Sequence, residues 1–142
     1  MTLLPDSNAV IKTLEMQQAI IARMASSSAS VKTWCITLVS AIVAFSADNG
    51  KPKVLLVAII PIVLFFFLDV YYLCLERYFR AKYELFSVHV QNAQAAQEEL
   101  FEIGKPTLVY SDFLSSAISW SIWPYYLPLI LSVPIIAYIL SK

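Results

Sequence analysis

Three apolar stretches divide the chain, at about 29–47, 54–75 and 123–140. Each is close to the ~20 residues a helix needs to cross a bilayer. Ahead of the first, Val10, Leu14, Gln17, Ile21, Met24, Ser28 and Val31 recur at steps of four and three, while Lys12, Glu15, Gln18 and Arg23 fall between them. That rhythm marks one face of a helix. It predicts an amphipathic helix over 7–28, capped by Asp6 or Ser7, with no breaker before the first span. Asp48-Asn49-Gly50-Lys51-Pro52 is a turn, because Asn-Gly tolerates positive φ and Pro suits a helix start. So short a loop makes spans one and two an antiparallel hairpin.

Pro61 is expected to bend the second span, since it removes a donor. No Gly or Pro follows between Ile62 and Ile103, so the helix is expected to leave the bilayer and continue as a rod over 76–103. Gly104 and Pro106 then stop it. Along the rod, Leu75, Phe79, Tyr83, Phe86, Val90, Ala93, Gln97 and Leu100 form one apolar face. Residues 104–122 read as a link and an interfacial segment, with Ser111 or Asp112 as helix cap. The third span, 123–140, opens in an aromatic belt of Trp120, Trp123, Tyr125 and Tyr126, and Pro124, Pro128 and Pro134 kink it.

Composition agrees with that pattern. Hydrophobic residues are 59% and charged residues 14% of the chain, against roughly 45–50% and 25% in soluble domains. The fold class expected is an all-α integral membrane protein of one domain with three transmembrane helices. The start of the chain lacks the apolar core and small-residue site of a cleavable signal peptide. Formal net charge is zero, so charge position carries the information. Of the Lys and Arg residues, only Lys51, Lys53 and Lys142 fall outside when the N-terminus is cytoplasmic. The positive-inside rule therefore predicts N-in and C-out. Cys35 and Cys74 both lie in apolar runs and read as packed thiols.

No nucleophile–base set, phosphate loop or metal-ligand spacing occurs, and His89 is the only histidine. An enzyme, a cofactor and a metal site are not expected. Three features remain. The first is a small, polar stripe along span one: Ser26, Ser30, Thr33, Thr37, Ser40 and Ala44. Such a stripe packs helices closely, or lines a pore, and with three spans a pore demands an oligomer. The second is Asp69, whose carboxylate costs on the order of 2.5–3.5 kcal/mol near a span's centre and less toward its end. Either it pairs with Lys32 or bonds Trp34, or it forms a polar ring in a pore vestibule. The third is Arg77, Arg80 and Lys82 at the membrane exit. They serve topology and lipid phosphate, or, repeated around an axis and joined by Lys12 and Arg23, they hold an anionic ligand. The rod face of Leu75, Phe79, Tyr83, Phe86, Val90 and Leu100 is expected to be buried between protomers. The other partner open to it is the helix face of Leu14, Ile21 and Met24 in its own chain.

The run Leu68-Asp69-x-Tyr71-Tyr72-Leu73-x-x-Glu76-Arg77-x-Phe79-Arg80, with Arg23-Met24-Ala25 and Lys32-x-Trp34-x-Ile36-Thr37-Leu38 upstream, resembles the SLATT class of small bacterial membrane effectors. Within that class it is similar to the membrane effectors of Hailong anti-phage systems. The resemblance covers residues 14–86 and fades over 104–142. It implies a homo-oligomeric channel, a tetramer, working beside a nucleotidyltransferase. It further implies that the nucleotidyltransferase product, a single-stranded DNA oligomer, holds the channel closed, and that its loss depolarises the cell. The acidic stretch Glu98 to Glu102 argues against the distal rod as a DNA site. From a different class, a non-conducting scaffold that recruits a cytoplasmic partner through the rod accounts for the same periodicity.

Overall fold

The computed structural model describes residues 7–92, 100, 106 and 109–141. Helix α1 runs unbroken from Asn8 to Asp48, so the stretches expected as amphipathic helix and first span form one rod. Ser7 caps it, accepting the Val10 N–H at 3.4 Å. Asp6, the other cap candidate, lies outside the described residues. The rod ends at Asn49, and Gly50 takes φ +60° to reverse the chain, a conformation that costs glycine little. Fully buried Ser46 closes the turn, donating to the Lys51 carbonyl at 2.9 Å.

A 3₁₀ segment, Pro52–Ala58, leads into α2, Ile59–Gln91. Pro61 is the third residue of α2, in the helix's first turn, where proline is tolerated. The irregularity expected at Pro61 comes before it, as tighter winding. The helical extension expected over 76–103 is seen as far as Gln91, capped by Asn92. Residues 93–99 and 101–105, with Ala93, Gln97, Gly104 and Lys105, lie outside the described residues.

Helices α1 and α2 lie antiparallel along their whole length. Val10 packs against Phe86 and Val90 at one end, Gln18 bonds Tyr83, Lys32 pairs with Asp69, and Ser46 meets Lys51 at the other. From Val10 to Ser46 the hairpin is ~54 Å long at 1.5 Å per residue, well beyond the ~30 Å of a hydrocarbon core. Helix α3, Tyr110–Ala117, crosses α2, and α4, Trp123–Leu140, packs against α2 and the 3₁₀ segment. The α3 start is Val109, whose N–H donates to Asp112 at 3.2 Å. Asp112 therefore acts from inside the first turn, where its charge also suits the helix dipole. Pro124 falls in the first turn of α4, with Pro128 and Pro134 inside the helix.

Three helices are long and apolar enough to cross a membrane, and among the described residues there is no strand. The main core is small, centred on Cys35, Leu55, Ile62, Val70, Tyr126 and Val133. Around it Leu64, Phe67, Ile130 and Ile135 stand exposed, an outer surface suited to lipid.

The rod face requires a correction. Leu75, Phe79, Phe86 and Val90 are all at most 8% exposed within the single chain. Val10 and Leu14 of α1, with Leu100, cover the Phe86–Val90 end, and Tyr83 accepts a hydrogen bond from Gln18 of α1 at 2.9 Å. The connecting turn is so tight that α1 lies beside the rod at far higher effective concentration than any second copy. The face expected between protomers is consumed inside one.

Candidate functional site

Two polar assemblies lie where the apolar part of the hairpin gives way to its charged end. The deeper is built on a one-turn spacing: Ser28 and Lys32 are i,i+4 neighbours on α1, and both face Asp69 of α2. Asp69 is fully buried. Its Oδ2 lies 2.6 Å from Lys32 Nζ, and its Oδ1 accepts the Ser28 hydroxyl at 2.5 Å. Lys32 Nζ also donates to Ser28 Oγ at 3.0 Å, closing a triangle. Helix α4 covers it. The Tyr125 hydroxyl donates to the Lys32 carbonyl, and the Tyr126 hydroxyl donates to the Phe65 carbonyl at 3.1 Å within electrostatic reach of Asp69. Of the readings open for Asp69, pairing with Lys32 is the one realised. Trp34 is 61% exposed and points elsewhere. A vestibule ring is corrected on the same ground, since a carboxylate enclosed by its own chain cannot line an aqueous passage.

The second assembly joins α2 to the α3–α4 corner. Arg77 donates from Nη2 to Ser119 Oγ at 2.8 Å and from Nη1 to Ser116 Oγ at 3.4 Å. Beneath it Cys74 and Ser116 are buried, and a pocket of about 240 Å³ opens between Cys74, Arg77, Tyr78, Ala81, Asp112, Ser115 and Ser116. Sequence reasoning missed this clasp, because nothing in the spacing of Ser116 and Ser119 ties them to a residue some forty positions earlier. It likewise placed Tyr125 and Tyr126 in an interfacial belt, where the structure uses their hydroxyls as fasteners.

The basic residues proposed to act together are separated. Arg77 is engaged with α3 and its exit loop. Arg80 pairs with Glu76 at 2.6 Å and stays 60% exposed, on a groove of about 370 Å³ shared with Gln18, Ile21, Ala22, Ala25, Tyr83 and Glu84. Lys12 faces Glu15 at 3.7 Å on the surface, nine residues and ~14 Å of helix from Ile21. Arg23 is exposed on α1, and Lys82 is half-buried with a partner of its own. One chain therefore offers Arg80 as the cation that lines this groove, with Arg23 exposed on α1 outside its lining, and no five-residue cluster.

The small, polar stripe is entirely outward. Ser26, Ser30, Thr33, Thr37, Ser40 and Ala44 are all exposed, so they pack neither α2 nor α4. Ser30 donates to the Ser26 carbonyl, Thr33 to Ala29 and Thr37 to Thr33, at 2.9–3.1 Å. These three hydroxyl donors are thus satisfied by their own helix, which suits that part of the stripe to an apolar neighbour. Both cysteines are free and buried, and among the described residues no group of His, Cys, Asp and Glu is arranged to hold a metal ion. His89 has an interaction partner. Comparison with protein-family models, curated proteins and solved structures finds no match to this chain.

Proposed function

We propose that this protein is the subunit of a homo-oligomeric, ligand-gated channel that depolarises the bacterial inner membrane in anti-phage defence. Its N-terminus is cytoplasmic and its C-terminus outside. The observation that carries the reading is the α1 stripe. Six small or hydroxylated residues over five turns of a candidate span face away from the rest of their own chain. Beyond facing lipid, a face that polar has two uses in a bilayer, close contact with another copy or contact with water in a pore, and both require self-assembly. The likeness to SLATT-type effectors supports the same assembly, a tetramer, with a nucleotidyltransferase product such as a single-stranded DNA oligomer as ligand. On this reading the anion acts at the charged end of the hairpin, where Arg80 and Arg23 are accessible and a symmetric ring would repeat them. Asp69 drops out of the pore set because it is enclosed by its own chain, and Arg77 drops out of the anion collar because its bonds to Ser116 and Ser119 turn it toward the α3–α4 corner, away from the groove of Arg80.

A non-conducting scaffold remains the second reading, and the back-bonded hydroxyls of Ser30, Thr33 and Thr37 favour it, since donors satisfied within the helix pack well without water. Reconstitution of the purified chain into liposomes separates the two. A channel passes ions and responds to single-stranded oligonucleotide, whereas clean oligomers that never conduct would refute it in favour of the scaffold. The sense of gating follows from growth of cells expressing Arg80→Glu: constitutive toxicity marks an inhibitory ligand, and silence an activating one.

A further inference from the structure

The pocket between α2 and α3 contains an arrangement that the channel reading leaves unused. Arg77 and Asp112 line it from opposite helices. Among the described residues neither has an ion-pair partner, and they do not pair with each other. Arg77 uses its two terminal nitrogens toward Ser116 and Ser119, and a guanidinium has five N–H donors in all. Asp112 accepts the Val109 N–H with one oxygen, Oδ2, at 3.2 Å, and among the described residues no hydrogen bond reaches Oδ1. Ser115 adds a hydroxyl at the rim.

A fixed cation and a fixed anion held apart across one pocket complement a dipolar ligand better than a simple ion, because either simple ion would meet a like charge. The pocket's place narrows the class. It opens at Cys74 and Arg77, where the apolar run of α2 ends, and Trp120 and Trp123 flank the same corner, 87% and 42% exposed. Exposed tryptophans mark the headgroup level of a bilayer, and basic pockets between helices at that level receive lipid headgroups.

We propose that this pocket binds the headgroup of a zwitterionic phospholipid bearing a primary ammonium, as in phosphatidylethanolamine. The phosphate sits on Arg77, whose planar donors match phosphate oxygens, and the ammonium donates to the Asp112 carboxylate. A quaternary ammonium has no N–H to give Asp112, and a glycerol headgroup has no charge to give it, so phosphatidylcholine and phosphatidylglycerol are weaker ligands. Such a lipid would brace α3 against α2 at the point where the third span begins. The proposal requires only that the apolar helices cross a bilayer, so it stands or falls apart from channel activity.

The test is native mass spectrometry of the full chain, purified and delipidated in detergent. It is mixed with equimolar phosphatidylethanolamine, phosphatidylcholine and phosphatidylglycerol of the same acyl chains. The expected result is about tenfold greater retention of phosphatidylethanolamine, the scale of one charge-assisted hydrogen bond. Asp112→Asn keeps an acceptor for the Val109 N–H, so α3 retains its start. In this variant the preference should collapse about tenfold, with phosphatidylglycerol retained at least as well. Equal retention of the three lipids by the native chain, or an unchanged preference in Asp112→Asn, overturns the proposal. Free phosphoethanolamine, added as a competitor, should displace little. If it binds as tightly as the lipid, the ligand is a soluble phosphoester and the lipid assignment is wrong.

Discussion

Replacing Lys32 by methionine isolates the ion pair on which the two long helices are registered. The lysine stem is packed against the hairpin and only 22% of the side chain is exposed. Methionine retains most of that volume, and a volume-conserving swap costs under about 1.5 kcal/mol. What disappears is the ammonium 2.6 Å from a carboxylate that has no exposed surface. Ser28 remains with its single donor. Breaking one side of a buried pair costs roughly 3–5 kcal/mol, because the other charge is left uncompensated. Against a total stability of roughly 5–15 kcal/mol, Lys32→Met should remove about a fifth or more. Replacing both partners by apolar residues of similar volume is often neutral or stabilising, so Lys32→Met combined with Asp69→Leu should recover several kcal/mol relative to Lys32→Met alone. Reversible unfolding in mixed micelles, followed by the fluorescence of Trp34, Trp120 and Trp123, measures both. A Lys32→Met chain within about 1 kcal/mol of the native one, or a double variant no better than the sum of the single changes, would refute the claim that Asp69 is charged, enclosed and dependent on Lys32.

Three further outcomes follow from the same geometry. Phe86→Ala should destabilise the chain by about 3–5 kcal/mol, as for a buried aromatic, yet leave the size of the assembly in detergent unchanged, because Phe86 packs on Val10 of its own chain; dissociation on size-exclusion chromatography would contradict this. Arg77→Ala should loosen α3 and raise the labelling rate of Cys74 by N-ethylmaleimide about tenfold, the scale of hydrogen bonds to a charged group, since the native thiol is 2% exposed; an unchanged rate would show that the Ser116 and Ser119 bonds hold nothing closed. Ser40→Trp should leave unfolding within about 0.5 kcal/mol of native, as an outward substitution does, while disrupting self-assembly and ion flux together; intact oligomers would remove the stripe from the interface.

The one-dimensional pattern was enough for the helices. Runs such as 54–75 are too long and apolar for anything but a helix whose backbone is internally satisfied, and Asn49-Gly50 between two of them leaves little choice but a hairpin. Even the division of the last segment, with a span beginning at Trp123, follows from local composition, because interfacial aromatics and prolines act where they stand. The partners of the polar residues were another matter. Lys32 was in view as one partner for Asp69, because a hairpin fixes approximate depth, but depth alone could not separate it from Trp34. That depended on rotation about the helix axis, which the whole α1–α2 contact sets. The fate of the rod face was undecidable for a related reason, since a seam reads the same whether the groove it fills belongs to its own chain or to another. The clasp of Arg77 on Ser116 and Ser119 was invisible: it depends on how α3 crosses α2, and crossing geometry is a property of packed surfaces, not of residue spacing.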